Sequence, residues 1–191
     1  MAIISRDAFE IFDVDARPIV DVDKLAEEFY DRVASLHPDH KTGDLTMFRE
    51  WNGAYRVLME PASRLDALLA RRGLQAAPAV PPEEALEVFT TVGRAVHTAD
   101  RFLEMNVNNG SAITRAVGFE KKREAFVELA SVRGRLNSWR MQLDQQLRDL
   151  DDRWPDVADA ELVDLQAAYR FCDTWQWQVE DRIFRLSSRE A

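Results

Sequence analysis

The residues of this chain whose types and spacing carry the most chemical information are His37, Pro38 and Asp39. Pro38 lacks an N–H and pushes the residue before it out of the helical region, so it forces a sharp exit from a preceding helix. His37 and Asp39 are then held outward on a constrained turn. Near neutral pH the imidazole donates or accepts a hydrogen bond, and the carboxylate offers paired oxygens to an arginine on a partner. This is recognition chemistry. Catalytic arrangements are missing from the sequence: there is no GxGxxG, no Walker-type phosphate loop and no HExxH. His37, Asp39, His40 and Asp44 can be drawn as a metal site, but zinc wants closed tetrahedral geometry and no soft ligand lies nearby. Cys172 is the only cysteine, which excludes an internal disulfide and any cysteine-based zinc or iron–sulfur site within one chain. The expectation is a protein that is not an enzyme and has no metal and no cofactor.

Helices are expected to position the motif. Ala8, Phe9, Ile11 and Phe12 form a short apolar turn after Ser5 and Asp7. Asp21 or Asp23 caps a second helix, in which Leu25, Phe29, Val33 and Leu36 recur at helical spacing until Pro38 ends it. After the polar loop 40–44, a third helix carries Met47, Trp51, Ala54, Tyr55 and Leu58 on one face. Pro61 marks a restart, and Leu65, Leu68 and Leu69 continue the stripe until Gly73 stops it. Trp51, Tyr55 and Phe48 are expected to buttress the loop from the third helix, with Phe9 and Phe12 packed against them.

Three prolines and a glycine between Gly73 and Pro82 exclude a continuous helix there. The chain is therefore divided into residues 1–73, a linker at 74–82 and residues 83–191. In the last segment Leu86, Phe89, Val92, Val96 and Leu103 keep helical spacing, and Asn106–Ser111 reads as a turn with Ser111 as a cap. A long helix then runs through Leu150 with Phe119, Phe126, Leu129, Leu136, Leu143, Leu147 and Leu150 on its seam. Trp154-Pro155, with the acids Asp151 and Asp152, reads as a helix-ending loop. The last helix carries Leu162, Leu165, Tyr169, Cys172, Val179, Ile183 and Leu186 on a near-heptad seam, with Gln176 as its polar exception. Trp175 and Trp177 point to different faces, so at least one is exposed or covered by the N-terminal module. Cys172 is read as inert packing. The fold class is all-α, with an antiparallel three-helix bundle in 83–191.

Charge narrows the partners. With 25 Lys and Arg against 34 Asp and Glu, the net charge is −9, and that field repels a phosphate backbone. Lys121-Lys122-Arg123 is a solvated basic run without the interleaved aromatics of a nucleic-acid site. No apolar run reaches about 18 residues, so no spanning helix is expected. The opening MAIISRDAFE has no basic flank before an apolar core, so no secretory leader is expected. The expected location is cytoplasmic, with protein partners, no nucleic acid and no membrane.

With its flanks, the His37-Pro38-Asp39 segment resembles a J-domain. Phe9, Ile11 and Phe12 are similar to the family's first helix, and Phe48, Asn52, Ala54, Tyr55, Leu58, Pro61 and Arg64 follow in the family's order. The string from Arg64 to Gly73, followed by a helical segment with no Gly/Phe-rich or Cys-rich region, resembles the HscB (Hsc20) branch: J-type co-chaperones of iron–sulfur cluster assembly with an N-terminal J-domain and a C-terminal three-helix bundle. Residues 8–73 carry the specific resemblance.

The resemblance implies an Hsp70-family partner (HscA- or DnaK-like), engaged by His37, Pro38 and Asp39 with Lys24 and Arg32 on the second helix. It also implies stimulation of that partner's ATPase, and a client, an IscU-like iron–sulfur scaffold protein, held by the bundle. Phe102, Leu103, Glu104 and Met105 are similar to the family's client segment. One departure stands out. Residues 22–36 set Lys24 and Arg32 against Asp23, Glu27, Glu28 and Asp31, a net of −2, and Asp31 stands where the family has a basic residue. The alternative is a J-like adaptor or interaction protein with another client, or with no productive Hsp70 contact.

Overall fold

The computed structural model describes residues 7–36, 44–76, 86–104 and 112–188. All regular structure among them is helical: α1 Ala8–Ile11, α2 Val22–Leu36, α3 Leu45–Met59, α4 Pro61–Arg71, α5 Leu86–Glu104, α6 Ala112–Asp151 and α7 Asp159–Ser187. The all-α expectation holds for these residues.

Local chemistry explains the boundaries. Asp7 accepts a hydrogen bond from the Phe9 N–H at 3.1 Å and starts α1. Asp21 accepts from Lys24 N–H at 3.0 Å, so of the two candidate caps Asp21 is the one that starts α2. Asp44 caps α3 by accepting from the N–H groups of Thr46 and Met47, at 2.9 and 3.1 Å. The chain turns extended at Glu60, and Pro61 occupies the first turn of α4, where its missing N–H costs nothing. Gly73, at φ +70°, closes α4: its N–H donates to Ala70 O and the Leu74 N–H donates to Leu69 O. Those two bonds satisfy carbonyls that the helix end would leave open.

The chain divides into two compact units. One comprises Met1–Pro78 with Asp144–Ala167, the other Ala79–Leu143 with Ala168–Ala191. The first cut falls in the 74–82 linker, and two further cuts run through α6 and α7.

In the first unit α3 packs against α1, α2 and α4. Phe9, Phe12, Leu25, Leu58, Leu65, Leu68 and Leu69 are almost fully buried. Arg64 is buried too. Its Nε donates to Pro18 O at 2.7 Å and its Nη1 to Leu58 O, tying the chain between α1 and α2 to the end of α3.

Residues 144–167 are bound into this unit by polar groups. Asp151, buried at the end of α6, accepts from Arg17 Nε at 3.0 Å, Arg17 Nη2 at 2.5 Å and the Ile19 N–H at 3.0 Å. Arg72 donates to Pro155 O at 2.7 Å, Val157 O at 3.0 Å and Asp159 Oδ1 at 2.9 Å, and its guanidinium lies 4.6 Å from the Trp154 ring centre. The fully buried Gln166 donates to Asp66 at 2.6 Å.

In the second unit a core forms from Val92, Ala95, Val96, Ala99, Phe102 and Leu103 of α5, Ala125, Leu129, Val132 and Leu136 of α6, and Val179 and Leu186 of α7. Cys172 is buried, with its Sγ 3.9 Å from the Leu136 carbonyl. The seam of α6 departs from expectation at its start. Phe119 and Phe126 are 66% and 40% exposed, while Gly118 and Ala125, one position earlier, face inward. One residue is 100° of helix rotation, so the small residues hold the inward track and the rings turn out. Leu86 and Phe89 are also partly exposed; Phe89 packs edge-on against Trp175 at 5.4 Å. Trp175 joins that contact and Trp177 is exposed, so the two tryptophans do face different ways. The expected turn at Asn106–Ser111 lies outside the described residues.

Candidate functional site

The candidate site is the hairpin of α2 and α3. His37, Pro38 and Asp39 follow α2 directly in sequence and lie outside the described residues. Aromatic packing fixes the two helices that flank them. Phe29 of α2 stacks on Tyr55 of α3 with ring centres 4.1 Å apart and planes within 9°. Phe12 follows α1 and meets Trp51 at 4.6 Å and Tyr55 at 6.4 Å. Offset and tilted contacts of this kind favour one arrangement of the rings beyond their burial alone. Leu36, the last residue of α2, is buried, so the helix is anchored up to the residue before His37. Asn52 donates from its side-chain amide to Phe48 O at 2.7 Å along α3. Phe9 is buried under the Arg71 guanidinium, 5.9 Å from its ring centre.

Lys24 and Arg32 are both exposed on α2. The Arg32 guanidinium lies 5.4 Å from the Trp51 ring centre, a cation–π contact that commits it to the hairpin's own surface. The two cations share a groove with Ile11, Glu27, Glu28, Asp31, Ser35 and Trp51. Near it, the bond to Asp151 and that carboxylate's charge, with Asp15 and Asp152 adding, hold Arg17 above the ordinary guanidinium value against the opposing effect of burial. Among the described residues no group of three or more His, Cys, Asp or Glu could hold a metal ion.

Of the four residues similar to a client segment, the three described ones, Phe102, Leu103 and Glu104, do not share a surface. Phe102 and Leu103 are each 7% exposed and belong to the core of the second unit. Glu104 is exposed at the end of α5, and Met105 lies outside the described residues. Burial of Phe102 and Leu103 is what their spacing from Val92 and Val96 requires, since all four fall on the inward stripe of α5. The large exposed apolar side chains of this unit sit elsewhere, among them Phe119 on α6 and Trp177 and Phe184 on α7. Their spacing alone did not mark them. Trp177 and Phe184 are seven apart and on one face of α7, opposite the seam, a pattern visible once the seam is known.

Compared with known proteins, the chain matches no protein-family model and no curated protein.

Proposed function

We propose that the protein is a J-type co-chaperone of the HscB kind, which stimulates the ATPase of an Hsp70 partner and delivers a client to it, an iron–sulfur scaffold protein, in the cytoplasm. The observation that carries this reading is the sequence His37-Pro38-Asp39 between two helices whose facing aromatic residues, Phe29 and Tyr55, stack at 4.1 Å. A trigger of three residues needs a stiff mount, because orientation lost to a loose hairpin is paid again on every encounter. The buried Leu36, the Asp44 cap and the Phe12–Trp51 contact supply stiffness on both sides of the motif. In this reading the J-type unit makes and breaks no bonds itself. It binds the ATP-loaded Hsp70 with Asp39 paired to a partner arginine and His37 hydrogen-bonded beside it, and the Hsp70 hydrolyses its own ATP and closes on the client. The helices of the second unit hold that client.

The acidic outward side of α2 favours a second reading, in which the hairpin persists in an adaptor without a productive Hsp70 contact. Affinity for the source organism's Hsp70 proteins in their ATP- and ADP-bound forms separates the two. The co-chaperone reading expects tighter binding to the ATP form and a loss of at least about tenfold in Asp39→Asn, since a desolvated charge pair at an interface is worth more than a rim pair. Equal or absent binding to both forms, unchanged by Asp39→Asn, would leave the adaptor.

A further inference from the structure

In the second unit α6 and α7 lie antiparallel in one register. Arg140 is bonded to Asp173, Gln176 donates to Asn137 at 3.3 Å, and Arg133 lies 3.8 Å from Glu180. Continued at the same step, that register sets Phe126 opposite Ser187, within one turn of Phe184. On α6, Phe119, Phe126, Arg133 and Arg140 recur every seven residues and form one row. On α7, Trp177 and Phe184 are also seven apart, in the row next to Asp173 and Glu180. The two rows border one outer face. Trp177 and Phe184 are 68% and 71% exposed there, and Phe126 and Phe119 continue the open face along α6. At about 150–250 Å² per ring, these exposures leave about 400–600 Å² of aromatic surface in water. That is the upper end of what a monomer leaves open in one patch.

We infer that this face pairs with the same face of a second copy of the chain. The pairing is independent of the co-chaperone reading. Charges that border the rings are matched within the unit: Arg133 with Glu180, Arg140 with Asp173, and Arg182 and Arg185 with Asp181. Such a face asks for no partner of opposite sign. Its complement is an apolar, charge-balanced helical surface, and this face is itself one. The second unit carries 13 Lys and Arg against 12 Asp and Glu, a net of +1, whereas the first carries 12 against 22, a net of −10. Two copies therefore meet through the second unit without the repulsion that two first units would exert. About a two-fold axis each patch meets itself. With the two α7 helices antiparallel and the axis between Glu180 and Asp181, Trp177 of one copy falls on Phe184 of the other. A stable interface takes about 800 Å² from each partner, and the rings alone supply about half of that or more.

The test is sedimentation equilibrium of the full chain from about 1 to about 200 µM, because self-association follows mass action. It compares the wild type, Trp177→Ser/Phe184→Ser and Tyr30→Ser, the last an exposed ring of the first unit that serves as the control. The truncated rings are exposed, and circular dichroism checks that the helices persist. Wild type and Tyr30→Ser are expected to rise from 22.0 kDa toward twice that mass across the range. The double variant is expected to pair at least about tenfold more weakly, as central aromatic anchors of an interface do when truncated. At about 0.5 M NaCl the dimer should hold or tighten, since its contacts are apolar and the repulsion between first units is screened. A species of 22.0 kDa at every concentration would overturn the inference; if the iron–sulfur scaffold bound that monomer and not the double variant, the face would belong to a client instead. A dimer that the double variant leaves equally tight, or that salt dissolves, would overturn it as well.

Discussion

Replacing Asp151 tests whether the end of α6 is part of the N-terminal unit energetically as well as geometrically. Its carboxylate accepts one backbone bond, from Ile19, and a two-pronged bond from Arg17. A hydrogen bond to a charged group contributes about 1.5–3 kcal/mol, and the Ile19 N–H loses that bond in Asp151→Ala. Arg17 keeps 45% of its side chain in solvent, so its share is discounted to about 0–1 kcal/mol. Asp151→Ala is therefore expected to cost about 1.5–4 kcal/mol, and Arg17→Ala about 1 kcal/mol or less. Urea unfolding of the full chain gives the totals. Native-state hydrogen exchange assigns them, because the loss is expected in the amides of α2 to α4, far away in sequence. A cost for Asp151→Ala within about 0.5 kcal/mol of zero, the level of an uninvolved surface change, would refute the reasoning. So would a larger cost for Arg17→Ala than for Asp151→Ala.

Other substitutions probe separate links. Phe12→Ala removes a ring that is 1% exposed and in contact with Trp51, and should cost about 3–5 kcal/mol in the same melts, whereas Phe184→Ser, on an exposed face, should change stability by about 0.5 kcal/mol or less. Gly73→Ala meets open space, yet its φ of +70° should make it about 1 kcal/mol less stable. The hydrogen bond and charge of Arg153 hold the Glu161 carboxyl below its ordinary value of 4.5. A lowered folded-state value means that the pair's stabilisation is fully present above the unfolded-state value and is lost as pH falls through the folded-state value. Glu161→Gln should therefore lower the melting temperature at pH 7, by an amount that shrinks as the pH falls through the folded-state value and that also shrinks in 0.5 M NaCl.

The elements of this chain were legible where local rules decide them. The Asp21 cap, one of the two candidates, the restart at Pro61 and the stop at Gly73 each follow from one residue's backbone or side-chain chemistry, whereas Asp44, read as the end of a polar loop, proves to cap α3. The packing of Phe12, Trp51 and Tyr55 was readable from helical spacing for the same reason. Periodicity failed where two tracks on α6 lie one residue apart. Phe119 and Phe126 are the more hydrophobic choice for the inward track, but Gly118 and Ala125 take it. The polar ties were not legible. Asp151 reads as one of two acids in a helix-ending loop, and its partners lie 132 and 134 residues away. Arg64 belongs to a recognisable order of residues, but nothing in that order says that its guanidinium is buried against Pro18 O and Leu58 O. For the candidate site, the sequence supplied the motif and the structure supplied its mount. Phe102 and Leu103 illustrate the reverse, a resemblance in sequence on side chains that the core of the second unit has taken.

The central claim is that His37, Pro38 and Asp39 act on an Hsp70. Steady-state ATP hydrolysis by each Hsp70 of the source organism, with and without the full chain and with the iron–sulfur scaffold added in turn, tests it most directly. The account predicts stimulation that His37→Gln abolishes and that the scaffold increases further. Hydrolysis unchanged by the wild-type chain, or equal stimulation by His37→Gln, would contradict it.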